Sequence, residues 1–347
     1  INHDLSEDEL RMLYPDEERK KLSDEVYHRY SFNPAKIALE EHHVAVYSGK
    51  KTEHVEKAKH PAYLLRGSLV SPSLESGIIT GKYVNANPLA RLEKLYRQHN
   101  VSITRQNMAN WTIHRVERYL SILYDYPYKY LYRCHAIQAD ETPLLINKDG
   151  RPAGSKSYMR VYRTGKYQTD KQVILYDYQE TRKMDHTRKF LKDFRGVCVT
   201  DGYQVYHTLE GELEDLEISG CWAHSRRRYD EAVKALPESE QKMSLAYLAL
   251  LQIQQIYHEE AKLQDMTPAE RRKHRQKFNK ALVDAYFNWL RINIDKVMPK
   301  SKTHNGMTYS LNQEKYLRRF LDDEEIPIDN NAAEKVSEIF VAAERTG

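Results

Sequence analysis

Residues 135–146 read HAIQADETPLLI, an alternating run of polar and apolar side chains that is typical of a β-strand. Two similar runs follow, SYMRVYRTG at 157–165 and KQVILYDY at 171–178. Turn residues separate the three runs, Lys148-Asp149-Gly150 first and Thr164-Gly165-Lys166 second. The pattern therefore predicts a three-stranded antiparallel meander.

The segment after the meander alternates between helix and strand. DHTRKFLKDF at 185–194 has helical spacing, and Gly196 is expected to stop that helix. VCVTDGYQVY at 197–206 predicts a buried strand running into a turn, and a further helix leads to a strand in LEISGCWAH at 216–224. The order βββαβαβ predicts an α/β (α+β) class, with the mixed sheet of a ribonuclease H-like fold.

A helical pattern fills residues 225–320. Its three long amphipathic stretches are RRRYDEAVKAL, MSLAYLALLQIQQIYHEEAKL and RRKHRQKFNKALVDAYFNWLRINIDKV. Thr267 and Glu270 have the spacing of a capping box, which predicts a helix start. The runs RRRYDE and RRKHRQK concentrate positive charge that the whole-chain total conceals.

A helix, a short turn and a second helix are predicted over residues 88–120, ahead of the meander. Pro88 suits a helix start, and one face carries Leu89, Leu92 and either Leu95 or Tyr96. Thr104 is expected to cap the second helix, whose inner face would carry Met108, Trp111 and Val116. The pattern fits a helix-turn-helix, and an ordinary αα-hairpin is the alternative. In the first case the residues that would meet DNA are Arg105, Gln106, Asn107 and Asn110.

Composition limits the class of protein. The chain has 347 residues and a net charge of +4 from 54 basic and 50 acidic residues, and 40% of it is hydrophobic, so global disorder is not expected. No run of about 18 apolar residues is present, which predicts no membrane-spanning helix. Cys134, Cys198 and Cys221 are odd in number and far apart, so neither a disulfide framework nor a CxxC zinc site is expected. The expected setting is a reducing cytoplasm.

The N-terminal segment carries weaker signals. Ser6 is expected to start a helix, and residues 38–47 alternate enough for a strand or hairpin arm. His42 and His43 have no second ligand pair at a suitable spacing, so a solvated pair is expected. The chain begins with Ile1 and stops at Gly347 shortly after a helical pattern starts, so we expect it to be part of a longer protein.

Three acidic residues are candidates for a metal site. Asp140 lies within the first strand, and Asp201 directly follows the fourth, which the predicted topology places beside the first. Two neighbouring carboxylates repel unless a divalent cation lies between them. Glu334, on the terminal helix, is a candidate third ligand. Hard oxygen ligands favour Mg²⁺, with Mn²⁺ as a substitute, and two such ions would suit phosphoryl transfer. Alternatively, all three acids are surface charges.

Four ordered motifs of this region resemble those of the IS66 family of insertion-sequence transposases: ADETP, DGYQVY, GCWAHSRRRYDE and DNNAAEK. Residues 71–116, from SPSLESG to TIHRV, are similar to the region that precedes the catalytic core in that family. The resemblance covers about residues 68–334. It implies a DDE transposase, with Asp140, Asp201 and Glu334 as the catalytic and metal-binding acids.

The resemblance also implies a domain plan, in which the helical block is an insertion into the core. A simple connection between Asp201 and Glu334 would be far shorter than the segment present, which agrees with an insertion. The family's cysteine-rich zinc segment has no counterpart in residues 1–60, so no zinc is expected. Lys335 and Ser337 also differ from the family pattern. The plan is an N-terminal arm at 1–60, a helix-turn-helix-like DNA-binding region at 61–130, a catalytic core at 131–224 and 322–347, and an all-helical basic insertion at 225–321.

Further roles follow from the motif around CWAH. Cys221 and Trp222 are expected to pack in the core, while His224 either orients a phosphate near Asp201 or simply starts a helix. His224 and Asn331 are expected to support the acids without binding metal. Glu141 should point to the opposite sheet face and is the weaker ligand. A run of basic residues is expected to contact DNA phosphates, with a solvated basic face as the alternative: Arg226, Arg227 and Arg228.

The resulting expectation is a bacterial, nucleoid-associated DNA transposase that cleaves insertion-sequence ends and transfers them to target DNA. Its expected partners are both of these DNAs, a second copy of the chain in a synaptic complex, and accessory proteins of the same element. Two alternatives remain open. One is a ribonuclease H-like nuclease without strand transfer, and the other is a truncated, non-catalytic DNA-binding derivative.

Overall fold

The chain forms two units, residues 1–60 and 61–347. The computed structural model describes most of the second unit and short parts of the first. No helix in this part of the chain is long and apolar enough to cross a membrane. The described residues are 5–13, 15, 37–48, 55–59, 65, 68–146, 150–152, 154–168 and 171–345, with side chains as far as residue 338.

The first unit contains one short helix and one hairpin. Helix α1, Glu7–Leu13, starts as predicted, because the Glu9 amide donates to Ser6 Oγ (3.3 Å) and the Ser6 amide to Glu9 Oε2 (2.8 Å). Strands β1, Val46–Ser48, and β2, Val55–Lys57, pair antiparallel and are exposed. Of the predicted strand at 38–47, only its last two residues are in β1.

A five-stranded mixed sheet lies at the centre of the second unit. In spatial order its strands are β5-β4-β3-β6-β7, with β3–β4 and β4–β5 antiparallel and β3–β6 and β6–β7 parallel. The predicted meander and the adjacency of the first and fourth core strands are therefore confirmed. The first predicted turn, at 148–150, lies largely outside the described residues. The strand bounds are β3 Ala136–Leu145, β4 Lys156–Thr164, β5 Ile174–Gln179, β6 Gly196–Thr200 and β7 Leu216–Gly220.

Gly196 has a different role from the predicted helix stop. Helix α6, Met184–Leu191, ends before it, and Gly196 is the first residue of β6. Its φ is +138°, and a Cβ there would lie 2.2 Å from the His135 carbonyl oxygen. The glycine is thus needed where β6 passes close to the start of β3. Helix α7, Gln204–Glu212, then connects β6 to β7.

The helices before the sheet include the predicted helix, turn and helix. Thr104 caps α4, with its Oγ1 accepting from the Asn107 amide at 3.2 Å. Leu92 and Tyr96 are the buried face of α3, and Leu95 is exposed. Val116 is also exposed, because α4 passes into a π-helical turn there, which rotates the face that the straight-helix pattern assumed. These helices are α2 Pro72–Ile79, α3 Leu89–Gln98, α4 Arg105–Arg115 and α5 Ser121–Leu131.

Helices also fill the chain between β7 and the C-terminus, as predicted. The capping box of Thr267 and Glu270 is present at the start of α11. A π-helical turn, Arg275–Asn279, connects α11 to α12. The helix bounds are α8 Trp222–Lys234, α9 Glu238–Gln241, α10 Leu245–Ala261, α11 Pro268–His274, α12 Lys280–Asn293, α13 Lys302–Asn312, α14 Glu314–Arg318 and α15 Asn331–Arg345.

Two apolar cores hold the sheet and helices together, and strand β6 contributes to both. Val197 and Val199 pack with Trp222 and the helices α8, α10 and α12. Cys198 packs in the other core, with Ile137 of β3 and Tyr162 of β4. Side chains alternate along a strand, so successive residues of β6 pack into the cores on its two faces. This packing holds β6 in place and so fixes the position of the residue that follows its carboxyl end.

Candidate functional site

Asp140 lies in the middle of β3, opposite Val161 of β4. The strand is fully buried up to Ala139, and Asp140 and the two residues after it are half-buried. Burial is the main reason that the pKa of the Asp140 carboxyl is raised from 3.8 to about 6. The Ser337 hydroxyl opposes this shift, and the negative charges of Glu334 and Asp201 add to it. The three predicted acids therefore lie close enough to influence one another electrostatically.

Asp201 directly follows β6, so it leaves the sheet beside Asp140. The pairing Gln138↔Val199, continued by two residues, sets Asp140 level with Asp201. The loop is tightly fixed, since Asp201 Oδ1 accepts from the Tyr203 amide at 3.0 Å. The Asp201 carbonyl accepts from the Tyr309 hydroxyl at 2.9 Å.

Gly202 provides the turn that this loop requires. Its φ is +84°, and a Cβ there would lie 2.9 Å from Tyr309 Oη and 3.1 Å from Gln313 Oε1. Both the left-handed backbone and the close approach of α13 therefore favour glycine at this position.

Glu334 lies in the first turn of α15, a helix that packs on β3 and β4. Its side chain is 16% exposed and faces two basic groups of α8. Arg227 Nη2 is 2.5 Å from Glu334 Oε2, and His224 Nδ1 is 3.4 Å from Glu334 Oε1. Neither His224 Nδ1 nor Glu334 Oε1 has a hydrogen-bond partner among the described residues. These two buried polar atoms thus face each other beside the acids.

His224 lies in the first turn of α8, and its ring faces Glu334. Burial lowers its pKa, although the charges of Glu334 and Asp201 oppose that shift. The ring is consequently more readily neutral than a free histidine. The nearest donor to its Nε2 is Arg227 Nη1, at 3.5 Å.

Potential ligand atoms of Cys221, His224 and Glu334 lie within 4.8 Å of one another. In the described part of the chain, no other group of three or more His, Cys, Asp or Glu ligands is this close, so the three acids are not gathered as tightly. Burial raises the pKa of the Cys221 thiol to about 12, and its sulfur accepts from the Asn330 amide at 3.1 Å. The thiol is therefore protonated in the metal-free protein, and a cation that bound to the sulfur would have to displace this proton.

Asn331 and Asn330 are adjacent but lie in different environments. Asn331 is exposed, and its side-chain amide donates to Asp329 Oδ2 at 2.9 Å. Asn330 is fully buried, and its amide donates to the Ala139 carbonyl at 2.7 Å. The asparagine that contacts the strand of Asp140 is therefore Asn330.

The remaining predicted residues fall into two groups. Cys221 and Trp222 are fully buried, as predicted, and Trp222 Nε1 donates to the Leu317 carbonyl at 2.8 Å. Glu141 is paired with Arg160 and Arg182, apart from the other acids. The residues predicted to meet DNA are all exposed: Arg105, Gln106, Asn107, Asn110, Arg226, Arg227 and Arg228.

Sequence reasoning missed Tyr309 and Asn330 as members of this site. Tyr309 belongs to α13, far from Asp201 along the chain, and its ring lies 4.1 Å from the Arg228 guanidinium carbon. No local pattern could have revealed that contact. Asn330 did have a local signal, because it precedes the helix of Glu334 and asparagine is a favoured N-cap.

Comparison with known proteins identifies the family to which this chain is similar. Residues 67–341 match the family model described as "Transposase IS66 family". Three similar proteins of Sinorhizobium fredii (strain NBRC 101917 / NGR234) are uncharacterized. They are y4qI, at 28% identity over 83% of this chain and 54% of the relative, y4jD, at 24% over 81% and 55%, and y4hP, at 18% over 91% and 59%.

The chain thus spans little more than half the length of these relatives. The family match covers most of the chain, including Asp140, Asp201 and Glu334, and agrees with the motifs that suggested the resemblance. The chain belongs to the IS66 family of transposases.

Proposed function

We propose that this chain carries the catalytic core of a DDE transposase, which cleaves the ends of its insertion sequence and transfers them to target DNA. Asp140, Asp201 and Glu334 are the proposed catalytic acids. The observation that carries the proposal is geometric: the register of the parallel strands β3 and β6 sets Asp140 level with Asp201, and Glu334 lies on the helix that packs on β3. The raised pKa of Asp140, to which the charges of both other acids contribute, supports it. Buried acids that raise one another's pKa are costly for stability and are typical of functional sites.

The strand order supports a ribonuclease H-like core. An antiparallel meander is joined through its first strand to two parallel strands, giving β5-β4-β3-β6-β7. Helix α15 packs across β3 and β4 and brings Glu334 to the edge where Asp140 and Asp201 lie. An insertion spanning α8 to α14 separates the third acid from the other two along the chain.

The residues present fit a divalent cation held by oxygen ligands. Asp140 ionises with difficulty beside two other acids, and a cation would relieve that repulsion. Glu334 Oε1 is buried without a hydrogen-bond donor in the described residues, so one ligand oxygen is available. Asp140, Asp201 and Glu334 would hold Mg²⁺, two ions in the proposed mechanism, or Mn²⁺ in its place. Such ions, when bound, supply activation of a water or 3′-hydroxyl and stabilisation of the leaving oxygen.

We propose no zinc at this site, because the three acids offer hard oxygen ligands with no cysteine among them, and such ligands favour Mg²⁺ or Mn²⁺.

The chain's own side chains would bind and orient the DNA backbone. Arg226, Arg227 and Arg228 are exposed on the first two turns of α8 and would contact phosphates. Arg227 pairs with Glu334, so a bound phosphate would compete with that carboxylate for the guanidinium. His224, with its lowered pKa, would orient the DNA backbone or the Glu334 carboxylate as a neutral ring.

The helix-turn-helix-like pair α3–α4 would recognise the element ends. Arg105, Gln106, Asn107 and Asn110 are exposed on the first turns of α4, where a recognition helix makes its base contacts. Synapsis of two element ends calls for a second copy of the chain, and we propose a homo-oligomer. Accessory proteins of the same element and a place at the bacterial nucleoid complete the proposal.

The decisive experiment is Asp140→Asn in the full-length gene product. With Mg²⁺, the unaltered protein should nick and join a duplex that carries the element's terminal repeat. Asp140→Asn should lose at least a hundredfold in both reactions and should bind the same duplex normally, because the carboxylate is lost while the DNA-facing side chains remain. Asp193→Asn, an exposed acid on the loop after α6, is the matched control and should keep full activity.

Each remaining outcome selects an alternative. Full activity in Asp140→Asn would refute the assignment. Metal-dependent cleavage without joined products would favour a nuclease. Binding without any metal-dependent reaction would favour a non-catalytic DNA-binding derivative.

A further inference from the structure

Asn330 is bonded to three of the elements that carry the site, namely strand β3, the start of α8 and helix α15. It is 0% exposed. Its side-chain amide donates to the carbonyl of Ala139 at 2.7 Å, one residue before Asp140. The preceding residue adds a second tie to the same strand, because Gln138 Nε2 donates to the Asp329 carbonyl at 3.0 Å. The segment leading into α15 is therefore fastened to β3 beside the first acid.

The same segment is fastened to α8, the helix that carries His224 and Arg227. The backbone amide of Asn330 donates to Cys221 Sγ at 3.1 Å. The backbone amide of Trp222 donates to the Ile328 carbonyl at 3.1 Å. These contacts set the start of α8 against the start of α15, where Glu334 faces the two basic side chains.

The carbonyl of Asn330 starts the helix of the third acid. It accepts from the Ala333 amide at 2.9 Å and from the Glu334 amide at 3.1 Å. Asn330 is thus one residue with a side chain bonded to the strand of Asp140 and a backbone bonded to Glu334 itself. A shift of Asn330 would move Glu334 relative to Asp140.

The buried amide is a costly choice for packing alone. Asn330 Oδ1 is buried and has no hydrogen-bond partner within the described residues. A buried polar atom left unpaired is unfavourable, and an apolar side chain of similar size would avoid that cost. The benefit of asparagine at this position consequently lies in the bond to Ala139.

We propose that Asn330 is a positioning residue, whose contact with the Ala139 carbonyl holds the start of α15, and with it Glu334, in place beside Asp140 for binding a divalent cation. The inference rests on the proposed function, because it concerns the same acids. It predicts that removing the amide lowers the affinity for the cation even in a protein that remains fully folded. Groups that orient metal ligands typically change affinity 10- to 100-fold when replaced.

The test uses Mn²⁺ alone as the probe, titrated into the full chain without DNA and followed by electron paramagnetic resonance. Asn330→Leu should raise the dissociation constant for Mn²⁺ by about tenfold or more, with little loss of thermal stability. Asn305→Leu is the matched control and should leave Mn²⁺ binding unchanged, because Asn305 is exposed on α13 and its side-chain amide donates to the Lys300 carbonyl at 3.4 Å. Should Asn330→Leu fail to fold, Asn330→Ala takes the same test.

A purely structural role would be revealed by a second control. Val283→Ala, in the core of the helical block, should lower thermal stability and leave Mn²⁺ affinity as it was. If Asp140→Asn weakens Mn²⁺ binding and the Asn330 variants do not, the positioning role is overturned and the proposed function stands. If the unaltered chain binds no Mn²⁺, or binds it as tightly as Asp140→Asn does, the proposed function itself is overturned.

Discussion

Asp140 concentrates the energetic conflict of the site in one carboxyl group. It lies on a central strand, burial disfavours its charge, and two further acids act in the same direction. Evolution of a merely stable sheet would favour a neutral residue at this position. The proposed cation would neutralise these charges, so the metal-free protein should show the cost of charging Asp140 as a pH-dependent loss of stability.

The stability of the metal-free protein should therefore depend on pH through Asp140. Its pKa is about 6 in the folded chain against 3.8 for a free aspartate, so the folded state holds the proton more tightly. Stability from this group is fully present below pH 4, falls as the pH rises through 6 and stays low above. Asp140→Asn cannot ionise, and at pH 7.5 it should be the more stable protein, by up to about 3 kcal/mol.

The measurement is urea unfolding of both proteins with a chelator, at pH 4 and pH 7.5. The difference should be small at pH 4. Adding Mn²⁺ at pH 7.5 should stabilise the unaltered chain more than the variant. A variant that is less stable at pH 7.5 would contradict the cause given for the pKa of Asp140.

At the residue scale, the sequence allows two side chains to be placed near each other where strand position decides, and does not allow it where tertiary contacts decide. Asp140 and Asp201 could be paired because parallel neighbouring strands bring their carboxyl ends together. The difference between Asn331 and Asn330 depends on the exact start of α15, which pattern reasoning locates only to within a few residues. The pairing of Arg227 with Glu334 joins residues far apart in the chain and has no local signal.

At the scale of elements, the helical block is joined to the sheet by a buried charged cluster. Glu260 of α10 pairs with Arg275, and both are almost completely buried. Arg275 also donates to the carbonyls of Phe320 (2.9 Å) and Asp323 (2.7 Å). Tyr167, in the loop after β4, donates to Glu260 Oε1 at 3.1 Å, so the cluster reaches the sheet.

Glu260→Gln should destabilise the fold by about 3–5 kcal/mol, because it leaves the Arg275 guanidinium buried without its counter-ion. Glu259→Gln is the matched control on the same turn of α10. Glu259 pairs with Lys262, which is half exposed, and with His274, so its loss should cost less than about 1 kcal/mol. Urea unfolding measures both variants, and equal losses would show that burial of the Glu260 pair has no special weight.

Element order was more predictable than the contacts between elements. The meander and the alternation that follows could be derived from period-two patterns and turn residues, and the structure confirms both. The role of Gly196 could not be derived from the sequence, because a glycine after a helical run usually marks the end of the helix. Its true requirement is the passage of β6 close to His135, a contact with another strand. The mutual packing of α8 to α14 likewise depends on long-range contacts.

At the scale of the molecule, the net charge of +4 results from nearly equal totals of basic and acidic residues. Part of this balance comes from ion pairs inside the protein. In the buried pair Glu260–Arg275, for example, one negative and one positive charge neutralise each other away from the surface. Exposed cations therefore matter more than the total for a polyanionic ligand. Two groups of exposed residues are proposed to bind DNA: Arg105 with three polar neutral residues on the first two turns of α4, and three arginines on α8.

These two groups should differ in what they contribute to DNA binding. Arg226 on α8 is proposed to contact a phosphate, so Arg226→Gln should weaken binding to every duplex alike and reduce the salt dependence by about one counterion. Asn110 on α4 is proposed to contact a base edge, so Asn110→Ala should weaken binding to the element end by about 1–3 kcal/mol and leave binding to scrambled DNA unchanged.

Arg195→Gln is the control for Arg226→Gln. Arg195 is exposed and lies just before β6, whereas Asp201 lies just after β6, so the two residues are at opposite ends of this strand. Fluorescence anisotropy with both duplexes over a range of salt separates these effects, and equal salt slopes for Arg226→Gln and Arg195→Gln would place the phosphate contacts elsewhere on the molecule.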